Sequence, residues 1–324
     1  MLLSPHKIML YFLRPLDSKT LSTRSLYVII AALFICVALA SCKKDEVIYP
    51  PGTMLITITD TESANLSLSG VGTATIDWGD GSEDETIQFV SDFKSLIYHN
   101  YYEKGTRTIK INGDYVTSLE GPVFATNLDV SRNNALKRLV CGSSILKKLD
   151  LSKNTALKDL NCNGTPLSIL DLSKNTALTV LSCHSCQLSS LDVSKNTALT
   201  HLDCSFNKLT SLDVSKNTAL RNLLCTHNQL KSLDVSKNTS LKSLWCFVNQ
   251  LTGLDVSMNT ALGDLSCMYN QLSVASLNVL FGTLHSNTIS GKVISVFGNP
   301  GADTCNPGIA TEKGWKVETV LQND

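Results

Sequence analysis

A unit of 21 residues recurs seven times between about Leu128 and Asn270, and nothing else in the chain constrains its fold so tightly. The copy at 209–229 reads LTSLDVSKNTALRNLLCTHNQ. Three landmarks keep strict register. Aspartate stands at 129, 150, 171, 192, 213, 234 and 255. Asparagine stands at Asn133, Asn154, Asn175, Asn196, Asn217, Asn238 and Asn259. Cysteine stands at Cys141, Cys162, Cys183, Cys204, Cys225, Cys246 and Cys267. A unit this short cannot bury its own apolar face, so successive copies must stack into a solenoid. Each unit also divides into two half-turns, LxxLDVSKNTA and LxxLxCxxNQ. In both, the leucines at i and i+3 and the Cys or Val at i+5 point inward, and the intervening residues face out of a short strand. Parallel strands, one or two per coil, would give a rod roughly 34 Å long at about 4.8 Å per strand.

The nested pattern resembles the leucine-rich-repeat family in its irregular 21-residue class. The resemblance implies a mainly β scaffold that displays a binding surface, without naming what binds. Each asparagine of the SxN ladder is expected at a tight corner, its amide bonding the backbone of neighbouring coils, because unpaired polar groups there are costly. The ladder cysteines read as small buried apolar residues, kept reduced by burial. Cys183-His184-Ser185-Cys186 forms a C-x-x-C that elsewhere suggests redox or zinc chemistry. Here the register explains it. Cys186 takes the slot of Ser144, Thr165, Asn207, Asn228, Asn249 and Asn270, and no second C-x-x-C supplies further ligands. Cys305, outside the ladder, is expected to be the accessible thiol.

The N-terminus reads as a targeting segment. Basic residues precede Leu26–Ala40, an apolar run shorter than the 20 or so residues a membrane-spanning helix needs. It ends in Leu39-Ala40-Ser41-Cys42, which resembles a bacterial lipobox, and the following Lys43-Lys44-Asp45-Glu46 resembles the segment after the lipid cysteine in Bacteroidota lipoproteins. That resemblance implies cleavage before Cys42, its acylation, and a protein tethered to the cell outer membrane, periplasmic or surface-exposed. Of 28 cations and 28 anions, four and one lie in the first 41 residues, so the remainder carries 24 and 27. That balance disfavours nucleic acid as a partner.

From Thr53 to Glu120 the pattern changes to period two, with turn residues between short alternating segments, as in a β-sandwich. Ile76-Asp-Trp-Gly-Asp-Gly-Ser82 and His99-Asn-Tyr101, followed by Gly105, resemble the WGDGS turn and the HxY tail of PKD-like domains. Asp77, Asp80 and Asp84 match no calcium-loop spacing and are read as turn residues. After Asn270 the sequence becomes aperiodic. Ser273 can cap a helix with Leu277, Leu280, Phe281 and Leu284 on one face, and Lys292–Phe297 and Trp315–Val320 read as strands. The predicted organisation is leader 1–41, tether 42–52, PKD-like β-sandwich 53–120, solenoid 121–272 and a small α/β cap 273–324.

No nucleophile elbow, phosphate loop, metal-ligand set or cofactor motif is present, so catalysis is not expected. His184, His201 and His227 occupy unlike positions in their coils. The repeated Asp, with Lys153, Lys174, Lys195, Lys216 and Lys237 three positions on, reads as a solvated charged face. Function is expected where the coils differ. The LDVSKNTA half barely changes, whereas the LxxLxCxxN half varies and gathers Phe206, His227, Trp245, Phe247, Met268 and Tyr269. These are the candidate ligand-binding residues, for a protein or a glycan, unless they pack under the cap. A structural or adhesin spacer of the cell surface, or an accessory polysaccharide-capture protein, is the alternative.

Overall fold

Alternation of apolar and polar residues produces the N-terminal strands. In a computed structural model, which describes residues 49–90, 94–121 and 123–320, they are β1 (Met54–Ile58), β2 (Ser63–Gly70), β3 (Thr73–Asp77), β4 (Glu85–Gln88), β5 (Ser95–Asn100), β6 (Arg107–Asn112), β7 (Val116–Glu120) and β8 (Ala125–Asp129). The expected leader and Cys42 lie outside the described residues, as does the tether up to residue 48. One antiparallel sheet runs β4-β3-β6-β1-β8, and β5-β2-β7 begins another. Met54, Ile56 and Ile58 of β1, Ile109 and Ile111 of β6, and Leu66 and Leu68 of β2 are buried in one contiguous core.

The 77–82 turn is held by its own side chains. Asp77 Oδ1 accepts the Gly79 amide, and Asp80 Oδ1 accepts the amide and hydroxyl of Ser82. His99 Nε2 lies 2.7 Å from the other Asp80 oxygen while its ring stacks on Trp78, and Tyr101 donates to the Trp78 carbonyl. Gly79 is required, because its φ is +73° and a Cβ would lie 2.6 Å from the Thr108 carbonyl oxygen. Among the described residues no group of three or more His, Cys, Asp or Glu could hold a metal.

The second sheet continues past β7. It pairs in parallel with β9 (Arg138–Val140), and the series goes on through β10 (Asp159–Asn161), β11 (Val180–Ser182), β12 (His201–Asp203), β13 (Asn222–Leu224), β14 (Ser243–Trp245), β15 (Asp264–Ser266), β16 (Val293–Ser295) and β17 (Lys316–Glu318). Each coil gives one strand, from its LxC half, and the SKN half turns without one. Leu139, Leu160, Leu181, Leu202, Leu223, Leu244 and Leu265 stand opposite one another along the sheet and are all buried. The pairing does not change cleanly at residue 120. β7 opens the parallel series, while β8, inside the first repeat, pairs antiparallel with β1 from Leu55↔Asp129 to Ile58↔Ala125.

The aperiodic reading beyond Asn270 is corrected by the structure. Val296 takes the cysteine slot of an eighth coil and Asn299 its asparagine slot, donating to the carbonyls of Cys267 and Val296 at 3.0 and 2.7 Å. The step from Asn270 to Asn299 is 29 residues because helix α1 (Val274–Thr283) replaces the short turn. Ser273 caps α1 by accepting the Ser276 amide, and Leu277, Leu280 and Phe281 are buried. The two expected C-terminal strands shorten to β16 and β17, separated by α2 (Gly308–Thr311). Over the end, Lys292 is buried with its ammonium on the carbonyls of Asn287 and Lys313, and the Trp315 indole donates to His285.

Candidate functional site

The invariant half of each coil is occupied by holding the solenoid together. Asn154 Nδ2 donates to the carbonyls of Val130 and Asn133 at 2.9 and 2.8 Å. The same pair of bonds recurs up to Asn259, which reaches Val235 and Asn238. All seven of these asparagines are fully buried. At the start of the column Asn133 donates to Val116, tying the first coil to β7. The aspartates are turn formers rather than only a solvated charged face. Each accepts the amide of the serine two residues on, as Asp213 does from Ser215 at 2.8 Å. That amide, more than any lysine, holds the carboxyls of Asp150, Asp171, Asp192, Asp213 and Asp234 below the usual range. Among the described residues none of the five repeated lysines forms an ion pair.

The ladder cysteines are buried free thiols. Loss of hydration raises the thiols of Cys141 and Cys246 to about 12 and lifts Cys183, Cys204, Cys225 and Cys267 as well. Cys186 lies in a different column. Its thiol donates to the Cys162 carbonyl at 3.0 Å, as the Asn207 amide does to Cys183 one coil on. Cys305 is the one described cysteine that is not buried.

The variable half carries an unusual backbone. Two residues after each inward Cys or Val the chain turns left-handed, at Ser143, Gly164, Ser185, Phe206, His227, Val248, Tyr269 and Gly298, with φ between +48° and +71°. Coil-to-coil bonds fix it there, such as Phe206 N–H to the Thr226 carbonyl at 2.9 Å and His227 N–H to Phe247 at 3.0 Å. A side chain at such a φ costs about 1–2 kcal/mol, and a β-branched one is a genuine outlier. Early coils fill the slot with Ser, Gly and Ser. Later coils fill it with Phe, His, Val and Tyr.

Those rings touch. Phe206 and His227 stack with centroids 4.0 Å apart, His227 meets Phe247 edge-on at 5.4 Å, and Phe247 lies 6.5 Å from Trp245. His184 joins from the other end, edge-on to Phe206. Tyr269 stands apart from this ribbon. It pairs with Phe297 at 5.3 Å, and its ring covers Gly298 so closely that a Cβ there would lie 2.3 Å away. Met268 is half-buried. Phe206 is 52% exposed and Trp245 39%, so neither is packed under the cap. The Trp245 indole N–H donates to Asp264 Oδ2 at 2.7 Å, and the Ser243 hydroxyl reaches the same oxygen at 3.0 Å. The sequence pattern did not single out His184, which joins the ribbon, or Phe297, which meets Tyr269, although both directly follow an inward Cys or Val.

No protein-family model and no curated protein matches this chain. Solved structures do. The functional domain of InlJ from Listeria monocytogenes, which includes a cysteine ladder, is 34% identical over 64% of this chain, with a TM-score of 0.54. The match takes in 46% of the Listeria chain, less than half its length. A leucine-rich-repeat protein of Leptospira interrogans, 19% identical, covers 58% of this chain and 50% of its own at a TM-score of 0.50, a likeness of fold alone. The protein is a mainly β solenoid of the leucine-rich-repeat type.

Proposed function

We propose that the protein is a ligand-capture scaffold of the cell envelope, with the strand half of its coils as the recognition surface and a protein as its partner. The observation that carries this is the left-handed column. From Phe206 to Tyr269 it holds bulky side chains in a conformation that Ser or Gly fills at lower cost, and strain retained against the local preference points to function. Exposed aromatics on a rigid frame are the residue type that dominates binding energy at protein interfaces.

In this reading the protein is a lipoprotein, anchored through Cys42 to the outer membrane, and the 53–120 region is a PKD-like spacer between lipid and solenoid. The Asp80–His99–Trp78 arrangement supports the PKD-like assignment. Glycan capture is the second reading, favoured by the exposed Trp245 ring, which sugars stack on as readily as side chains do.

The test is a pull-down from envelope and host-surface extracts alongside a glycan array. Both would compare the unaltered protein with Trp245→Ala/Phe247→Ala. Loss of all capture with an unchanged urea midpoint is expected, and full retention overturns the proposal.

A further inference from the structure

The charge distribution on the strand face narrows the ligand. In each strand from β11 to β16 the middle residue is buried and the flanking residues, Ser266 apart, are at least partly exposed. Those flanking positions include two carboxylates, Asp203 and Asp264, and no lysine or arginine. Beyond these strands the carboxylates are matched, Asp159 by Arg138 and Glu318 by Lys316. Asp203 and Asp264 are in no ion pair among the described residues. Each also keeps an oxygen free of protein donors. Asp203 accepts the Ser205 amide through Oδ1 alone, and Asp264 receives both Trp245 and Ser243 on Oδ2. Arg221 and Lys242, one residue ahead of β13 and β14, pair with neither.

We infer that the occupant of this face is a basic protein segment, one of whose lysine or arginine side chains lies on the Trp245 ring with its charge on the free oxygen of Asp264, while a second meets Asp203. The inference rests on the ribbon being the recognition surface. An aromatic face beside an unpaired carboxylate attracts a cation twice, through the ring quadrupole and through charge, and a flat guanidinium satisfies both at once. The indole N–H is already committed to Asp264, which fixes the ring and leaves its exposed face for contact. Asp203 closes β12 and Asp264 opens β15, so three strand spacings, about 14 Å, and two residues along the strand, about 7 Å, part them, roughly 16 Å in all. An extended peptide covers that distance in about five residues.

The test uses synthetic decapeptides of Gly and Ser carrying two arginines two to seven residues apart, titrated into the protein. Tryptophan fluorescence reports binding, because Trp78 and Trp315 are buried and Trp245 is the exposed indole. Binding is expected to peak at a separation of about five residues and to weaken with added salt. Asp264→Asn and Asp203→Asn should each weaken it at least tenfold at an unchanged urea midpoint. Absence of peptide binding overturns the inference, as does binding indifferent to both Asn variants or glycan-array binding that both leave intact. If Trp245→Ala/Phe247→Ala abolishes natural capture while the Asn variants do not alter it, only the cationic ligand is wrong. If the aromatic variant also leaves capture intact, the recognition surface itself is misplaced.

Discussion

Each coil contains two columns of asparagine-type clips, and they are built differently. In the SKN column, from Asn154 to Asn259, Nδ2 spans two backbone carbonyls one coil earlier. In the second column, Asn207, Asn228, Asn249 and Asn270, Nδ2 serves three carbonyls and Oδ1 accepts the amide of a leucine one coil earlier, as Asn228 does from Leu209. The more fully bonded column is nevertheless the more tolerant, since Ser144, Thr165 and Cys186 fill it in the early coils. The first column admits nothing but asparagine. The difference follows from reach. A hydroxyl or thiol can bond one carbonyl of the preceding coil, as Thr165 and Cys186 do to Cys141 and Cys162, and the second-column amide bonds only one there. Neither a hydroxyl nor a thiol reaches the two that the SKN amide clips, each of which also accepts a backbone N–H. Uniformity within the repeat thus follows the number of preceding-coil carbonyls that one side chain clips, and variation is left to the half that faces outward.

The largest effect that sharpens this contrast involves the cysteines shared by the second half of every coil. Their thiols are raised in the folded state, so the folded protein keeps protons that the unfolded chain gives up. Stability is therefore complete below the unfolded thiol value of about 8.5 and falls as pH rises from there toward about 12, where Cys141 and Cys246 titrate. Each such thiol removes about 1.4 kcal/mol per pH unit across that window, so urea midpoints should collapse between pH 9 and 11. A Cys204→Ala/Cys225→Ala variant should show a shallower pH slope. An unchanged slope would show that the buried thiols are not responsible.

Next in size is the comparison of one substitution at both columns. Asn217→Thr should cost about 1–3 kcal/mol in urea denaturation, since a single hydroxyl can replace only one of the two coil-to-coil bonds to Val193 and Asn196. Asn228→Thr, which copies Thr165, should cost about 1 kcal/mol. Equal losses would remove the distinction between the columns.

The smallest effect has the opposite sign. Val248→Gly should raise stability by up to about 1 kcal/mol by relieving the left-handed backbone, net of the entropy glycine adds to the unfolded chain.

Most of the fold was legible because the repeat reports its inward positions directly. Leu, Cys and Asn recur at fixed spacing, and those are the residues the core and its clips require. Legibility failed at both ends for one reason: the repeat there shares its residues with another structure. Leu128 lies in the first copy yet belongs to β8, which pairs with β1. Asn299 belongs to the Asn column, but α1 moves it out of register. For the candidate site, composition pointed to Phe206, His227, Trp245 and Phe247. It did not show that Tyr269 pairs with Phe297, because a one-dimensional pattern says which way a residue faces and not which ring it meets. Nor does a sequence display a left-handed φ at Phe206 or Val248, where the backbone overrides the preference of the side chain.

The unbroken hydrogen bonding from β5 to β17 has a mechanical consequence. In a stacked sheet of this type a pull along the stacking axis acts along the interstrand bonds and loads them in series, coil by coil. The solenoid under tension would then behave as a sequential fuse rather than a rigid strut. Each 21-residue coil that peels away releases about 70 Å of slack, while the coils behind it, Asn clips included, stay folded.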